Sequence, residues 1–264
     1  MIGIVAAIGR EISDFSRVGM FDPVTGPEGV RFFESAHLPN VVLAEGGAGR
    51  DRAQRATRLL VDEYDPDLIV SAGFAGAAKP GARPGDLYVC SRILALCGPP
   101  TTWGKEGPRS RTLIDEGLMI RLSEAIGGVA GGCTWGESVT VDQIVHGSAL
   151  KRWIGESFGA DVIDMESYWV SEVAVERGLP HMVVRSVMDP MEQNLPTFVT
   201  KATEQEKSRS LWGGARHMLG NPSDLVPLLR LWHQVRRASR RLTDVLAAVV
   251  TAEAWTPAYR LGTT

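Results

Sequence analysis

The chain has 264 residues, 44% of them hydrophobic and 22% charged, with 28 Lys+Arg against 31 Asp+Glu for a net charge of −3. This balance excludes disordered, collagen-like and coiled-coil chains, and it lacks the global positive field that holds nucleic acid, so no nucleic-acid partner is expected. Cys90, Cys97 and Cys133 form no CxxC pair and meet no histidine at zinc-ligand spacing, so neither a disulfide framework nor a metal site is expected, and a reduced, cytoplasmic compartment fits best. No apolar run approaches the roughly 18–20 residues of a membrane span, and the apolar N-terminus meets Arg10 and Glu11 at once, unlike a signal peptide.

Residues 2–8 (IGIVAAI) form a short strand-like run that ends in Gly9-Arg10-Glu11 and leads into a predicted helix over 12–18. The pattern repeats at 40–44 (NVVLA), where the turn signal Gly46-Gly47-Ala48-Gly49 precedes an amphipathic 3.6-residue period over 50–64, closed by Asp65-Pro66. DLIVSAG (67–73) reads as a strand followed by a small-residue turn at 74–78, and LYVCSRILAL (87–96) reads as the next strand. The Gly/Pro/Thr-rich stretch 97–118 reads as a long surface loop or lid, with Trp103 a candidate to close over a site. Further on, DVIDM (161–165) predicts a strand, ESYWVSEVAVERG (166–178) a helix ending at a glycine cap, and HMVVRSVMD (181–189) a buried strand stopped by Pro190. Repeated strand–loop–helix units predict an α/β fold whose mostly parallel sheet is covered by helices on both faces, with no boundary before about residue 220.

From Asp224 the character changes. Leu225, Leu228, Leu229, Trp232, Val235, Leu242, Val245, Leu246 and Val249 fall on one helical stripe, while Arg230, His233, Arg236, Arg237, Arg240 and Arg241 crowd the remaining surface. The extension 221–264 is thus expected to carry a basic amphipathic helix. Two readings stand: packing on the domain or an oligomer partner, and contact of 224–250 with an anionic membrane surface.

In a parallel α/β sheet ligands gather at the carboxyl ends of strands, which directs attention to Gly9-Arg10-Glu11, 71–76, 164–167 and 185–189. The glycine loops match neither the dinucleotide fingerprint nor a phosphate loop, no Gly-x-Ser-x-Gly elbow is present, and the histidines and Cys90 read as structural. Glu11, Glu166 and Asp189 remain. Each alone can cap a helix or pair with an arginine; together they offer a general base, a hydroxyl-binding group and a general acid, enough to cleave a sugar–base bond through an oxocarbenium-like state.

IGIVAAIGRE, PDLIVSAGFAGAAKPGARPGDLYV, VIDMES and VVRSVMD, in this order within residues 1–196, resemble the nucleoside phosphorylase and nucleosidase superfamily, the group of purine nucleoside phosphorylase and methylthioadenosine/S-adenosylhomocysteine nucleosidase. The resemblance implies a three-layer αβα domain with a central mixed, mostly parallel sheet over 1–220, a homo-oligomer, no cofactor, and a small-molecule or lipid-linked nucleoside as substrate. Carried over by position, Glu11 is the acid that activates the attacking water. Glu166 binds the ribose hydroxyls with Met165 under the sugar, and Asp189 protonates or hydrogen-bonds N7 of the leaving purine. Gly73, Phe74 and Met188 are expected to line the substrate pocket.

Phosphorylases of this family need arginines near the first strand loop and before the glycines of the 67–73 block, where IVSAGFAG has none. Water is therefore the expected nucleophile, and Arg10, Arg17 and Arg50 are the residues that would hold phosphate as a co-substrate. Phe74 and Met188 stand where typical methylthioadenosine nucleosidases carry serine, which makes the pocket more apolar. TVDQIV, DMES and DPMEQNLP, with the basic tail, resemble the hopanoid-associated phosphorylase branch, which implies release of adenine from adenosylhopane and peripheral contact with the inner membrane surface. The alternatives are methylthioadenosine/S-adenosylhomocysteine or futalosine hydrolysis, phosphorolysis, and a catalytically silent nucleoside-binding module.

Overall fold

In a computed structural model of the chain, residues 1–112, 116–195 and 225–252 are described. Ten strands among them join one sheet: β1 (Ile2–Ala6), β2 (Asp22–Thr25), β3 (Arg31–Glu34), β4 (Val41–Glu45), β5 (Leu68–Ala77), β6 (Leu87–Leu96), β7 (Arg109–Thr112), β8 (Thr134–Val141), β9 (Val162–Asp164) and β10 (His181–Asp189). The helices are α1 (Gly9–Val18), α2 (Arg50–Tyr64), α3 (Pro100–Glu106), α4 (Glu116–Gly127), α5 (Ser148–Phe158), α6 (Ser167–Glu176) and α7 (Leu225–Thr251).

β1 lies between β4 and β5, parallel to both. Beyond β4, the antiparallel hairpin β2–β3 extends the edge. On the other side β5, β10, β6, β8 and β9 pair in turn, and β9 returns to β5 at Gly76–Ala77, which closes a ring of five strands. The sheet is therefore mixed, with its longest pairings, β5–β10 and β6–β8, parallel, as are those of β1 with its two neighbours, while the hairpin, β7, and the β6–β10 and β5–β9 pairings run antiparallel. Strands β1, β4 and β10 are buried on both faces at nearly every residue, which is why they read as continuous apolar runs.

Two expectations are corrected. Residues 74–77 are no turn, because β5 continues through Phe74–Ala77 while it passes from the open part of the sheet into the ring. Small residues that resemble turn chemistry serve here to let the strand bend and neighbouring groups approach closely. The stretch 97–118 is no long loop: Pro100 opens α3, β7 pairs with β6, and α4 begins at Glu116, with 113–115 outside the described residues. Trp103 is buried in a core cluster and its indole N–H donates to the Gly98 carbonyl at 2.9 Å, so it closes over nothing.

α1, α4 and α7 pack together as one layer against the sheet, and α2 and α6 form another, giving the αβα arrangement. The stripe of α7 divides. Leu242, Val245, Leu246 and Val249 are buried in the same core as Ile4, Phe15 and Val183, and Arg241 turns inward to donate to the carbonyls of Gly85 (3.3 Å) and Gly132 (3.0 Å). Leu229 and Trp232 remain exposed, at 51% and 43%. Packing on the domain thus accounts for the C-terminal half of the helix; 196–224, where the extension begins, and the side chains of Leu225 and Leu228 lie outside the described residues. Among the described residues no helix is long and apolar enough to cross a membrane. Leu242→Ala is expected to destabilise the protein by about 2–5 kcal/mol, as fully buried leucines do, read as a lower urea midpoint.

Candidate active site

Glu11 is the third residue of α1, and its carboxylate caps that helix. Oε2 accepts from the backbone N–H groups of Ala7 and Ile8, both at 2.9 Å, and Oε1 reaches across to the Phe74 N–H of β5 at 2.9 Å. Burial pushes its proton affinity above that of an ordinary carboxylate, while the backbone donors and the charge of Arg185 pull the other way. A Cβ on Gly73 would stand 2.7 Å from Glu11 Oε1, so a side chain there would displace the carboxylate.

Glu166 is held where β9 turns into α6. Its Oε1 accepts from the Gly49 N–H at 2.9 Å, and Gly49 opens α2 with φ of 96°, a conformation that favours glycine. Burial, reinforced by the charges of Glu11 and Asp164, pushes the Glu166 carboxyl up to about 8. Beneath both acids lies Arg185, fully buried on β10, which donates to Ser71 Oγ at 2.8 Å and the Val184 carbonyl at 3.0 Å. Its Nε stands 3.3 Å from Asp164 Oδ2. Burial alone would raise the Asp164 pKa, but Arg185, the hydroxyls of Ser138 and Ser167 and the Ser167 N–H hold it below the usual carboxylate range. One firmly ionic pair therefore underlies two acids whose protons are held more tightly.

Two spaces adjoin these groups. A void of about 10 Å³ lies among Glu11, Ser71, Gly73, Glu166 and Arg185, near the space one water needs. A larger cavity of about 260 Å³ is lined by Glu11, Phe74, Met165, Glu166, Met188 and Asp189, and by the apolar side chains of Ile8, Val141, Ile144, Val145, Ile163 and Leu195. Of the residues expected to act on or bind the nucleoside, Glu11, Phe74, Met165, Glu166, Met188 and Asp189 line that cavity, and Gly73 lines the small void. Asp189, at the end of β10, is buried and forms an ion pair with Lys151 of α5. Burial pushes the Asp189 carboxyl up and Lys151 opposes it.

The profile of the phosphorylase superfamily matches residues 1–211. The chain belongs to the phosphorylase superfamily. Among curated relatives it is similar to the 5′-methylthioadenosine/S-adenosylhomocysteine nucleosidase of Exiguobacterium sp., 25% identical over 201 residues that cover 73% of this chain and 86% of the relative. The nucleosidase of that name from Geobacillus kaustophilus is 26% identical over 166 residues, 60% of this chain and 71% of its own. Among solved structures, the fold is shared with the Neisseria meningitidis nucleosidase in complex with methylthio-immucillin-A (TM-score 0.70, 18% identity, 94% and 97% of the two chains). It is shared equally with the futalosine hydrolase of Helicobacter pylori (TM-score 0.69, 16% identity, 93% and 97%).

In this phosphorylase-superfamily protein the three arginines expected to hold phosphate do not converge. Arg10 is exposed, Arg17 pairs with Asp14 at 2.8 Å, and Arg50 stacks over the Trp169 ring at 4.3 Å; none lines either space. Among the described residues no group of three or more His, Cys, Asp or Glu is placed to hold a metal ion. No role was assigned from sequence to Asp164, Arg185 or Lys151, although the first two lie in the strand-end segments 164–167 and 185–189. A charge inside the apolar run HMVVRSVMD was the available signal for Arg185, since arginine is almost never fully buried unless paired. For Lys151 it was the spacing to Ile154 and Gly155, which puts the lysine on the buried face of its helix.

Proposed function

We propose that this protein hydrolyses the N-glycosidic bond of a purine nucleoside, releasing adenine from an adenosine that carries an apolar 5′ substituent. The observation that carries this reading is the one-water void bounded by Glu11, Glu166 and Arg185, set beside an apolar cavity that also holds Asp189. The C1′–N9 bond breaks with its electron pair leaving on the purine, which takes a proton at N7 from Asp189. Water adds to C1′ and gives its proton to Glu11, while Glu166 accepts hydrogen bonds from the ribose hydroxyls and so fixes the ring that carries positive charge. General acid and general base each contribute about 10²–10⁴-fold in such sites.

Hydrolysis is favoured over phosphorolysis because no arginine of the expected set lines either the small void or the larger cavity. The printed activities of the relatives, methylthioadenosine/S-adenosylhomocysteine nucleosidase and futalosine hydrolase, support the same reaction type. Adenosylhopane is the substrate we favour, on the apolar lining of the cavity and the exposed Leu229 and Trp232 among the arginines of α7, which suit a cytoplasmic homo-oligomer working at a membrane surface.

The test is release of free base from 5′-methylthioadenosine, inosine, futalosine and detergent-dispersed adenosylhopane, with and without phosphate. Adenine from adenosylhopane at a rate indifferent to phosphate is expected. Cleavage of methylthioadenosine alone would remove the lipid substrate, and stimulation by phosphate would remove hydrolysis. No base from any of the four would leave the nucleoside-binding module.

A further inference from the structure

Lys151 is the only fully buried lysine among the described residues. An ammonium in such a place is tolerated only when its protons are matched, and here all three are. One goes to Asp189 Oδ2, one to the Pro190 carbonyl at 3.1 Å and one to the Gln193 carbonyl at 2.8 Å. Lys151 borders the cavity, but its three protons are already taken, which leaves Asp189 as the group it can influence there.

The groups around Asp189 leave little else to govern it. β5 places Gly76 against its carboxyl oxygens, where a Cβ would stand 3.3 Å away. Arg185, four residues earlier on β10, is committed to Asp164 and Ser71. Glu11, Asp164 and Glu166 line the same cavity and carry the same sign as Asp189, and the exposed Glu192 lies on the segment that Lys151 clamps. Lys151 is the cation paired with this carboxyl.

We propose that Lys151 is a positioning residue for departure of the base: its pairing with Asp189 sets the charge of that carboxyl, and with it the pH above which the leaving purine loses its proton donor. The inference rests on the reading of Asp189 as acid to N7. Its sign follows from the pair. A neighbouring ammonium favours the carboxylate, so Asp189 releases its proton at lower pH than it would if buried alone. Because a donor must be protonated, base release falls as pH rises through that point, and removing the ammonium moves the fall to higher pH.

The experiment compares wild type with Lys151→Met, Lys151→Gln and Lys151→Arg on two substrates, 5′-methylthioadenosine and 4-nitrophenyl β-ribofuranoside, whose leaving group needs no proton. In Met and Gln, the alkaline limb of kcat/KM for the purine nucleoside should rise by at least about one pH unit, raising the purine-to-nitrophenyl ratio about tenfold on the alkaline side; Arg should keep the wild-type limb. Should Met not fold, Gln retains hydrogen bonds to the two loop carbonyls and carries the same test. Unmoved limbs, or a shift shared equally by both substrates, would overturn the proposal and leave Lys151 a staple of the 189–193 segment.

A second readout needs no turnover. In protein labelled with [13C]aspartate, the carboxyl resonance lost in Asp189→Asn should titrate at least about one unit higher in Lys151→Met. An unshifted midpoint overturns the proposal. Absence of base release from any nucleoside at any pH would count against the nucleosidase reading instead.

Discussion

Glu11→Gln is expected to lower kcat for base release by about 10³-fold while KM moves within about threefold, because the substitution removes the acceptor of the water's proton and little of the substrate's binding surface. The carboxylate accepts from Ala7, Ile8 and Phe74, three backbone donors that fix it to α1 and β5. A glutamine of the same shape keeps one acceptor oxygen and turns an NH2 toward the other donors, so the cap of α1 weakens by about 0.5–2 kcal/mol, small against the catalytic loss. Rates of methylthioadenosine or adenosylhopane cleavage, measured beside a urea transition, separate the two effects. A variant within about tenfold of wild type would show that Glu11 serves only to cap its helix, with the proton going elsewhere.

The parts of the fold that were legible in the sequence are those whose environment is uniform along the element. β6 and β10 are buried almost throughout, and α2 is amphipathic and stopped at Asp65-Pro66, so their limits agree with the apolar patterns. β2 was invisible for the opposite reason: all four of its residues are exposed, and no hydrophobic period marks an edge strand held by its backbone alone. Residues 74–77 misled because glycine and alanine serve close approach as well as turns, and here Gly73 and Gly76 lie beneath Glu11 and Asp189.

In the site, the carboxylates at strand ends could be named from position and resemblance. The cations that govern them could not, since a pairing across 114 residues between Arg185 and Ser71, or across 38 between Lys151 and Asp189, leaves no local trace.

Arg185→Met is expected to be the most damaging single change, costing about 3–5 kcal/mol of stability near neutral pH together with nearly all activity. Asp164 would remain buried and hydrogen-bonded to Thr140 and to the Glu166 and Ser167 amides, but without its cation. In the intact protein its depressed pKa contributes stability that is present above the unfolded value and lost as pH falls through the folded one. Removing Arg185 raises the folded value, so the deficit is largest at neutral pH and shrinks on acidification, as Asp164 takes up a proton and the unpaired charge disappears. Urea transitions at about pH 7.5 and about pH 5 read this directly; an equal loss at both would assign the effect to packing instead of charge. Activity fails for a related reason. Glu11 and Glu166, already raised by burial, both lose the one cation that favours their charged forms. Glu11 would then hold its proton more tightly than in the intact protein and accept one from water less readily, so whatever activity survives should increase toward alkaline pH.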